Sequence, residues 1–244
     1  MSPESIALLA VAVLVVAALY ASVGHAGASG YIAVMSLLGM APDEIKPTAL
    51  VLNIVVASIG TWQFWRAGHF SWALFWPFAL LSVPAAFVGG YLVLPNDALR
   101  ILLGVVLLLS AARFFIKPPT EREPGTPSRA VAITLGSGIG LLSGLTGTGG
   151  GIFLTPLLLF THWARAQRAA AVSALFILLN SGAGLAGYVS SNGEIPAFAW
   201  VIVVAAAAGG AAGSYLGSRR LDAVVIKRVL ALVLLIAGLK LVLV

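Results

Sequence analysis

The chain has 244 residues, of which 60% are hydrophobic and only 9% are charged, and its mean hydropathy is +1.05. One soluble core of this length cannot enclose so much apolar surface, so the composition excludes a soluble globular protein and predicts an all-α integral membrane protein. The formal net charge is +6, but the basic residues lie between apolar runs, where they set membrane orientation, so we expect no nucleic-acid partner. Cysteine is absent, which excludes disulfides and thiolate metal sites.

Eight apolar segments follow one another along the chain, at about 5–41, 48–65, 71–94, 99–116, 130–161, 169–191, 196–217 and 224–244. Short motifs recur between the first four segments and the last four, which indicates an internal duplication. We therefore predict a single domain, 1–244, made of two repeats at 5–116 and 130–244. Prolines and charges at 117–129 forbid a continuing helix and predict the linker between the repeats.

Glycine interrupts the first segment of each repeat. GHAGASGYI, from Gly24 to Ile32, recurs as LTGTGGGIF, from Leu145 to Phe153, and this match pairs His25 with Thr146. A continuous helix over 5–41 would measure roughly 55 Å, against a hydrocarbon core of roughly 30 Å. The length predicts a broken or re-entrant helix in each repeat, although two full passes stay open as the alternative. The predicted tips are Gly24–Gly30 and Gly147–Gly151.

Charge placement predicts the orientation of the repeats. Lys and Arg are concentrated around the linker and in the turn after the seventh segment, as expected of cytoplasmic loops. Tracing the crossings from these loops places Asp43, Glu44 and Lys46 outside. Each half then crosses the membrane an odd number of times, so we predict two inverted repeats of four hydrophobic segments, with both termini outside.

The polar residues at membrane depth favour a small anion as ligand. All eight carboxylates fall in predicted loops or segment ends, so we expect no metal site and no cofactor. Short helices are expected to begin just after Gly30 and Gly151, and helix N-termini offer backbone N–H groups to an oxyanion. The candidate substrate-binding residues come from both repeats: His25, Ser29, Gly30, Asn53, Thr148, Gly149, Gly150, Gly151 and Asn180.

Some of these residues have a second, structural interpretation. Asn53 and Asn180 could simply bond helices to one another, and His25 could carry a proton or only donate a hydrogen bond. Gly209, Gly213 and Gly217 are spaced by four and predict close helix packing rather than a cavity.

The second half resembles the sulfite exporter TauE/SafE family, also called the toluene-sulfonate uptake permeases. The matching residues are LLSGLTGTGGGIFLTPLLL from Leu141 to Leu159, RAAAVSAL from Arg168 to Leu175, and Asn180 after it. The first half departs from the family pattern, because Ala28 and Ser29 stand where consecutive glycines are common. The resemblance implies transport of sulfur-containing anions, such as sulfite or organosulfonates, across the bacterial inner membrane.

Taken together, the sequence predicts a secondary transporter or exporter of a small sulfur-containing oxyanion that works by alternating access in the lipid bilayer. Two alternatives are a membrane-embedded enzyme and a non-transporting scaffold subunit. GLLSG at Gly140–Gly144 lacks the GxSxG spacing of a nucleophile elbow, so we expect no enzyme. The exact substrate, the direction of transport, the coupling ion and the oligomeric state stay open, a homo-oligomer included.

Overall fold

The structure is a computed structural model that describes residues 3–22, 24–115, 125–191 and 193–217, together with residues 235, 239, 242 and 243. All nine elements in this part of the chain are α-helices: α1 (Pro3–Ser22), α2 (Ala28–Leu37), α3 (Pro42–Arg66), α4 (Trp72–Tyr91), α5 (Asn96–Phe115), α6 (Arg129–Thr146), α7 (Gly151–Phe160), α8 (Ala166–Ser190) and α9 (Ala197–Gly217). The predicted linker and the last apolar segment lie largely outside the described residues.

Six of the described helices, α1, α3, α4, α6, α8 and α9, are long and apolar enough to cross a membrane. The prediction of an all-helical, multi-pass membrane protein is therefore confirmed. Helices α2 and α7 have only ten residues each, or roughly 15 Å, which is half the thickness of a hydrocarbon core. The long first segment predicted for each half is thus divided into one long helix and one short one.

Glycines in left-handed conformations make both divisions. Gly24 and Gly27 have φ of 78° and 104° between α1 and α2, and Gly147, Gly149 and Gly150 have φ of 76°, 73° and 79° between α6 and α7. Residues with a Cβ rarely adopt these angles, so glycine is required there. Because Gly27 already ends the break, α2 begins at Ala28 and not after Gly30 as the sequence suggested.

Helices α3 and α8 form the centre of the molecule and run antiparallel. Each has 25 residues. Residue numbers fall along one helix as they rise along the other, as shown by the pairs Lys46 with Tyr188, Asn53 with Ser181, and Phe64 with Ala170 and Ala171. Both glycine breaks pack between these two helices.

Close glycine contacts join helices of the two halves. On α6, Gly136, Gly140 and Gly144 face the backbone of Phe78, Ser82 and Ala86 on α4. On α9, Gly209 and Gly213 face the backbone of Leu14 and Ala18 on α1, which confirms their predicted packing role. In both pairs the numbers rise together, so the helices of each pair are parallel. Spaced small residues let helix backbones approach closely in lipid, where packing drives association.

The buried apolar residues form two main clusters, and each mixes the two halves. One draws chiefly on α1, α2, α3, α5 and α9. The other draws on α4, α6, α7 and α8. Each short helix is therefore held in a cluster completed by a helix of the opposite half, and neither half can bury its apolar surface alone.

These contacts predict different effects for two glycines of α6. A Cβ at Gly140 would lie 2.6 Å from Ser82 Cα, whereas a Cβ at Gly138 meets nothing within 4 Å. We expect Gly140→Ala to lower the free energy of unfolding by about 1–3 kcal/mol through overpacking. Gly138→Ala should leave it unchanged or slightly raised. Thermal unfolding of the detergent-purified variants, followed by tryptophan fluorescence, measures the difference; equal melting temperatures would contradict the packing assignment.

Candidate functional site

The two glycine breaks meet at a small cavity between α3 and α8, which we call the tip cavity. Its lining residues come from the first break and the start of α2, from the second break and the start of α7, and from the central helices: Tyr20, His25, Ala26, Gly27, Ala28, Ser29, Asn53, Thr148, Ile152 and Ile177. Its volume of about 10 Å³ holds about one water molecule. Four predicted site residues, His25, Ser29, Asn53 and Thr148, thus lie at one place.

Two tyrosines position the first break. The Tyr20 hydroxyl and Ser29 Oγ are hydrogen-bonded at 2.9 Å, and the Tyr31 hydroxyl donates to the Ala26 carbonyl at 2.7 Å. Tyr31 is fully buried, and its bond satisfies a carbonyl that the interrupted helix leaves without a helical partner. Sequence reasoning missed both tyrosines. The signal was their position one turn before and one turn after the break.

Threonine hydroxyls position the second break. Thr146 Oγ1 bonds to the Leu142 carbonyl at 2.7 Å and to Thr148 Oγ1 at 2.9 Å. Thr146 itself does not line the tip cavity, whereas Thr148 does. Neutral hydroxyl groups therefore supply the polar surface on this side.

The backbone corrects the sequence match between the two breaks by two residues. Gly27 and Gly150 are the left-handed residues that directly precede α2 and α7. Aligning them pairs His25 with Thr148, not with Thr146. Both members of the corrected pair line the tip cavity, so the two breaks present their side chains from corresponding positions. The sequence match aligned glycine residues by type, whereas the start of each helix depends on which residue has a left-handed backbone conformation.

Asn53 connects the second break to the cavity. Its side chain is fully buried, and Nδ2 lies 3.4 Å from both the Gly147 carbonyl and Ser181 Oγ. Within the described part of the chain, Asn53 Oδ1 has no hydrogen-bond partner. A buried amide with an unsatisfied atom is costly, and its O and N are assigned from the surrounding bonds. Either orientation of the amide leaves a polar group available to a ligand.

The predicted glycines shape the cavity without lining it. A Cβ at Gly30 would lie 2.8 Å from the Tyr20 ring, and one at Gly149 would lie 2.9 Å from both Asn53 Nδ2 and Ser181 Oγ. Gly150 and Gly151 pack in the same way against α8. These four residues let the breaks approach their neighbours.

Asn180 has its polar groups engaged elsewhere. Its Oδ1 accepts from Ser82 Oγ at 2.8 Å, and its Nδ2 donates to the Phe176 carbonyl at 2.9 Å. It does not line the tip cavity. Because α3 and α8 have equal lengths, the residue of α8 that corresponds to Asn53 is Ile177, which lines the cavity as an apolar wall. The amide is thus supplied from one half only.

The electrostatics of the tip cavity favour negative charge. None of the described residues that line it is acidic. The first residues of α2 and a first-turn residue of α7 border it, and the start of a helix carries a partial positive charge. Hydroxyl, amide and imidazole groups complete the lining. These groups suit a small oxyanion, but a volume of about 10 Å³ admits only about one water molecule, so the two breaks must move apart before an oxyanion can bind.

Comparison with known proteins identifies the family. The family model described as "Sulfite exporter TauE/SafE" matches residues 8–241. The chain belongs to this family. It is 43% identical over 238 residues to "Probable membrane transporter protein y4hK" of Sinorhizobium fredii, covering 96% of each chain. It is also 26% identical over 160 residues to "Probable membrane transporter protein MJ0441" of Methanocaldococcus jannaschii, covering 63% of this chain and 60% of that one.

No solved structure shows a significant match to the chain. The resemblance drawn from the second-half motifs is confirmed, and it extends over nearly the whole chain. The relatives are named as membrane transporters and not as enzymes. Family membership therefore supports membrane transport as the activity of this TauE/SafE protein.

The geometry predicts that replacing Asn53 lowers substrate affinity and that replacing Asn180 lowers stability. Asn53→Ala removes a polar group from the tip cavity, and hydrogen bonds to charged groups contribute about 1.5–3 kcal/mol, so we expect substrate affinity to fall about tenfold or more. Asn180→Ala should instead lower the free energy of unfolding by about 1–2 kcal/mol, since it only leaves helix partners unpaired. Counterflow and thermal unfolding, measured on the same preparations, separate the two effects. A loss of affinity in Asn180→Ala alone would contradict the assignment.

Proposed function

We propose that this TauE/SafE protein is a secondary transporter that exports a small sulfur-containing oxyanion, such as sulfite or an organosulfonate, across the bacterial inner membrane. The tip cavity is the observation that carries the proposal. It combines two helix starts with neutral donors and has no acidic lining among the described residues. Interrupted helices that meet inside a membrane are typical of transporter binding sites.

We further propose that the chain consists of inverted repeats, 5–116 and 130–244, with the linker 117–129 in the cytoplasm and both termini outside. The antiparallel run of α3 and α8 supports this proposal, since equivalent helices of inverted repeats point in opposite directions. The matched contacts of α1 with α9 and of α4 with α6 also support it. On this arrangement α2 and α7 are the returning arms of re-entrant hairpins that enter from opposite faces.

Two apolar clusters support the proposal of alternating access. Tyr20, Ser29 and Asn53 reach the tip cavity from helices of the first cluster, which also contains the lining residue Ile177 of α8. Thr148 and Ile152 lie just before and in the first turn of α7, a helix of the second cluster. The cavity therefore lies where the clusters meet. Rocking of one cluster against the other would open it first to one face and then to the other.

Export of an anion needs no coupling ion. The inside-negative membrane potential contributes about 2.3 kcal/mol per charge and 100 mV to outward movement of an anion. The described carboxylates lie at helix starts and in loops. Of these, Asp43 and Glu44 lie in the first turn of the central helix α3. We therefore propose that the anion moves down its own electrochemical gradient.

Transport in proteoliposomes tests this function. We expect counterflow of ³⁵S-labelled sulfite against unlabelled sulfite, thiosulfate or sulfoacetate, with rates that do not change when sodium is replaced by choline. A Gly150→Leu, Gly151→Leu double variant should lose counterflow, because these side chains would enter the space of Phe176 and Ile177. Gly182→Leu is the matched control, since a Cβ there meets nothing within 4 Å. Absence of counterflow for every sulfur oxyanion, or sodium-dependent flux, would overturn the proposal.

The topology has its own test, which the absence of native cysteine simplifies. We expect single cysteines at Ser2 and at Thr126 to be labelled by a membrane-impermeant maleimide from opposite faces of sealed cells, because the N-terminus and the linker end lie on opposite sides. Labelling of both positions from the same face would contradict the proposed inversion.

A further inference from the structure

A larger cavity, which we call the vestibule, opens at one end of the α3–α8 pair. It has a volume of about 470 Å³ and is lined by Gly68, His69, Arg165, Gln167 and Arg168. The two guanidinium groups are exposed, and no lining residue in the described part of the chain is acidic. Ligand pockets have volumes of roughly 300–1,000 Å³, so the vestibule has room for a small hydrated anion.

Phe64 and an intermediate cavity lie between the vestibule and the tip cavity. Phe64 lies next to the vestibule, because the His69 N–H donates to the Phe64 carbonyl at 3.3 Å. Phe64 and Gly24 also line an intermediate cavity, which shares His25 and Ala26 with the tip cavity. The Phe64 ring, which lines this intermediate cavity, packs with Ala170 and Ala171.

At the opposite end of the α3–α8 pair, carboxylates stand at positions equivalent to vestibule residues, and the buried Lys46 follows them on α3. Helices α3 and α8 have equal lengths and begin at Pro42 and Ala166. Gln167 and Arg168 therefore correspond to Asp43 and Glu44. In the turns that adjoin these helices, Gly68-His69 follows α3 and Gly193-Glu194 follows α8, so His69 corresponds to Glu194. Hydrogen bonds bring these acidic segments together, because Tyr188 donates to the Asp43 carbonyl and accepts, through its own carbonyl, from the Gly193 N–H.

We propose that the vestibule is an anion-capture site that feeds the tip cavity, and that the acidic opposite end is the side from which the anion leaves. This inference rests on the proposed function and adds the side from which the anion enters and the side from which it leaves. The arginines raise the local concentration of anions at one mouth, and the carboxylates lower it at the other. The positive vestibule lies at the turns that the charge pattern assigns to the cytoplasm, as export requires.

The charge difference between the two mouths affects the kinetics of transport and not the equilibrium distribution of the anion. An uncoupled transporter only equilibrates its substrate, so charge at the mouths cannot change the final gradient. A mouth that attracts the anion gives a lower half-saturation concentration on that side. Thermodynamic balance then requires compensating changes in the maximal rate.

Cysteine reactivity tests the electrostatic part without assuming a substrate. Each purified cysteine variant is treated with the anionic reagent 2-sulfonatoethyl methanethiosulfonate and with its cationic trimethylammonium analogue, and the ratio of the two reaction rates is measured. We expect this anion-to-cation rate ratio to be higher for Gln167→Cys than for Ala41→Cys at the acidic end. Adding Arg165→Gln and Arg168→Gln should lower the anion-to-cation rate ratio at Gln167→Cys about fivefold, as expected for two screened charges at short range.

Two arginines of the same face provide matched controls. Arg66 stacks over Trp62 and Arg129 over Trp76, each at 5.6 Å, and neither lines the vestibule. Arg66→Gln combined with Arg129→Gln removes the same charge but should change the ratio by less than about twofold. An equal effect of the two arginine pairs would overturn the proposal, because it would reduce the vestibule to general surface charge.

Transport then tests whether the vestibule feeds the site. In everted membrane vesicles, Arg165→Gln with Arg168→Gln should raise the half-saturation concentration for ³⁵S-labelled sulfite about fivefold, while the control pair leaves it unchanged. Normal half-saturation in the vestibule variant would overturn the capture role even if the parent protein transports. If the parent carries no sulfur oxyanion, the proposed function fails, and the reactivity ratios alone then decide whether the vestibule attracts anions.

Discussion

A broken backbone inside a membrane must have its polar groups satisfied by protein, and the rest of this structure depends on that constraint. The central pair α3 and α8 encloses both breaks. Tyr31 bonds the free Ala26 carbonyl, and Asn53 approaches that of Gly147. Asn53 Oδ1 has no hydrogen-bond partner within the described part of the chain, and a ligand in the tip cavity could use it.

The same enclosure joins the halves into one folding unit. Helix α4 belongs to the cluster of α6, α7 and α8, and α9 belongs to the cluster of α1, α2 and α3. The glycines of α6 and α9 allow these exchanged contacts by bringing backbones together. The tip cavity lies between these two clusters.

The two halves differ in the side chains that they place around the tip cavity. His25 faces the cavity where the other break has Thr148, and Asn53 stands where α8 has Ile177. At the mouths, Arg168 corresponds to Glu44. Corresponding positions of the two breaks and of the two central helices thus carry different side chains.

Much of this protein followed from its sequence: the membrane class from hydropathy, the helix breaks from glycine clusters, and a shared place for His25, Ser29, Asn53 and Thr148. The first two are local properties, because segment length and backbone freedom depend on nearby residues, whereas the shared place was inferred from the match between the two halves. Tertiary structure alone decided that Gly30, Gly149, Gly150 and Gly151 pack against neighbours, that Asn180 bonds Ser82, and that Lys46 is buried and donates to the Gly89 and Gly90 carbonyls. The direction of a side chain depends on the register between helices far apart in the chain, which no local pattern encodes.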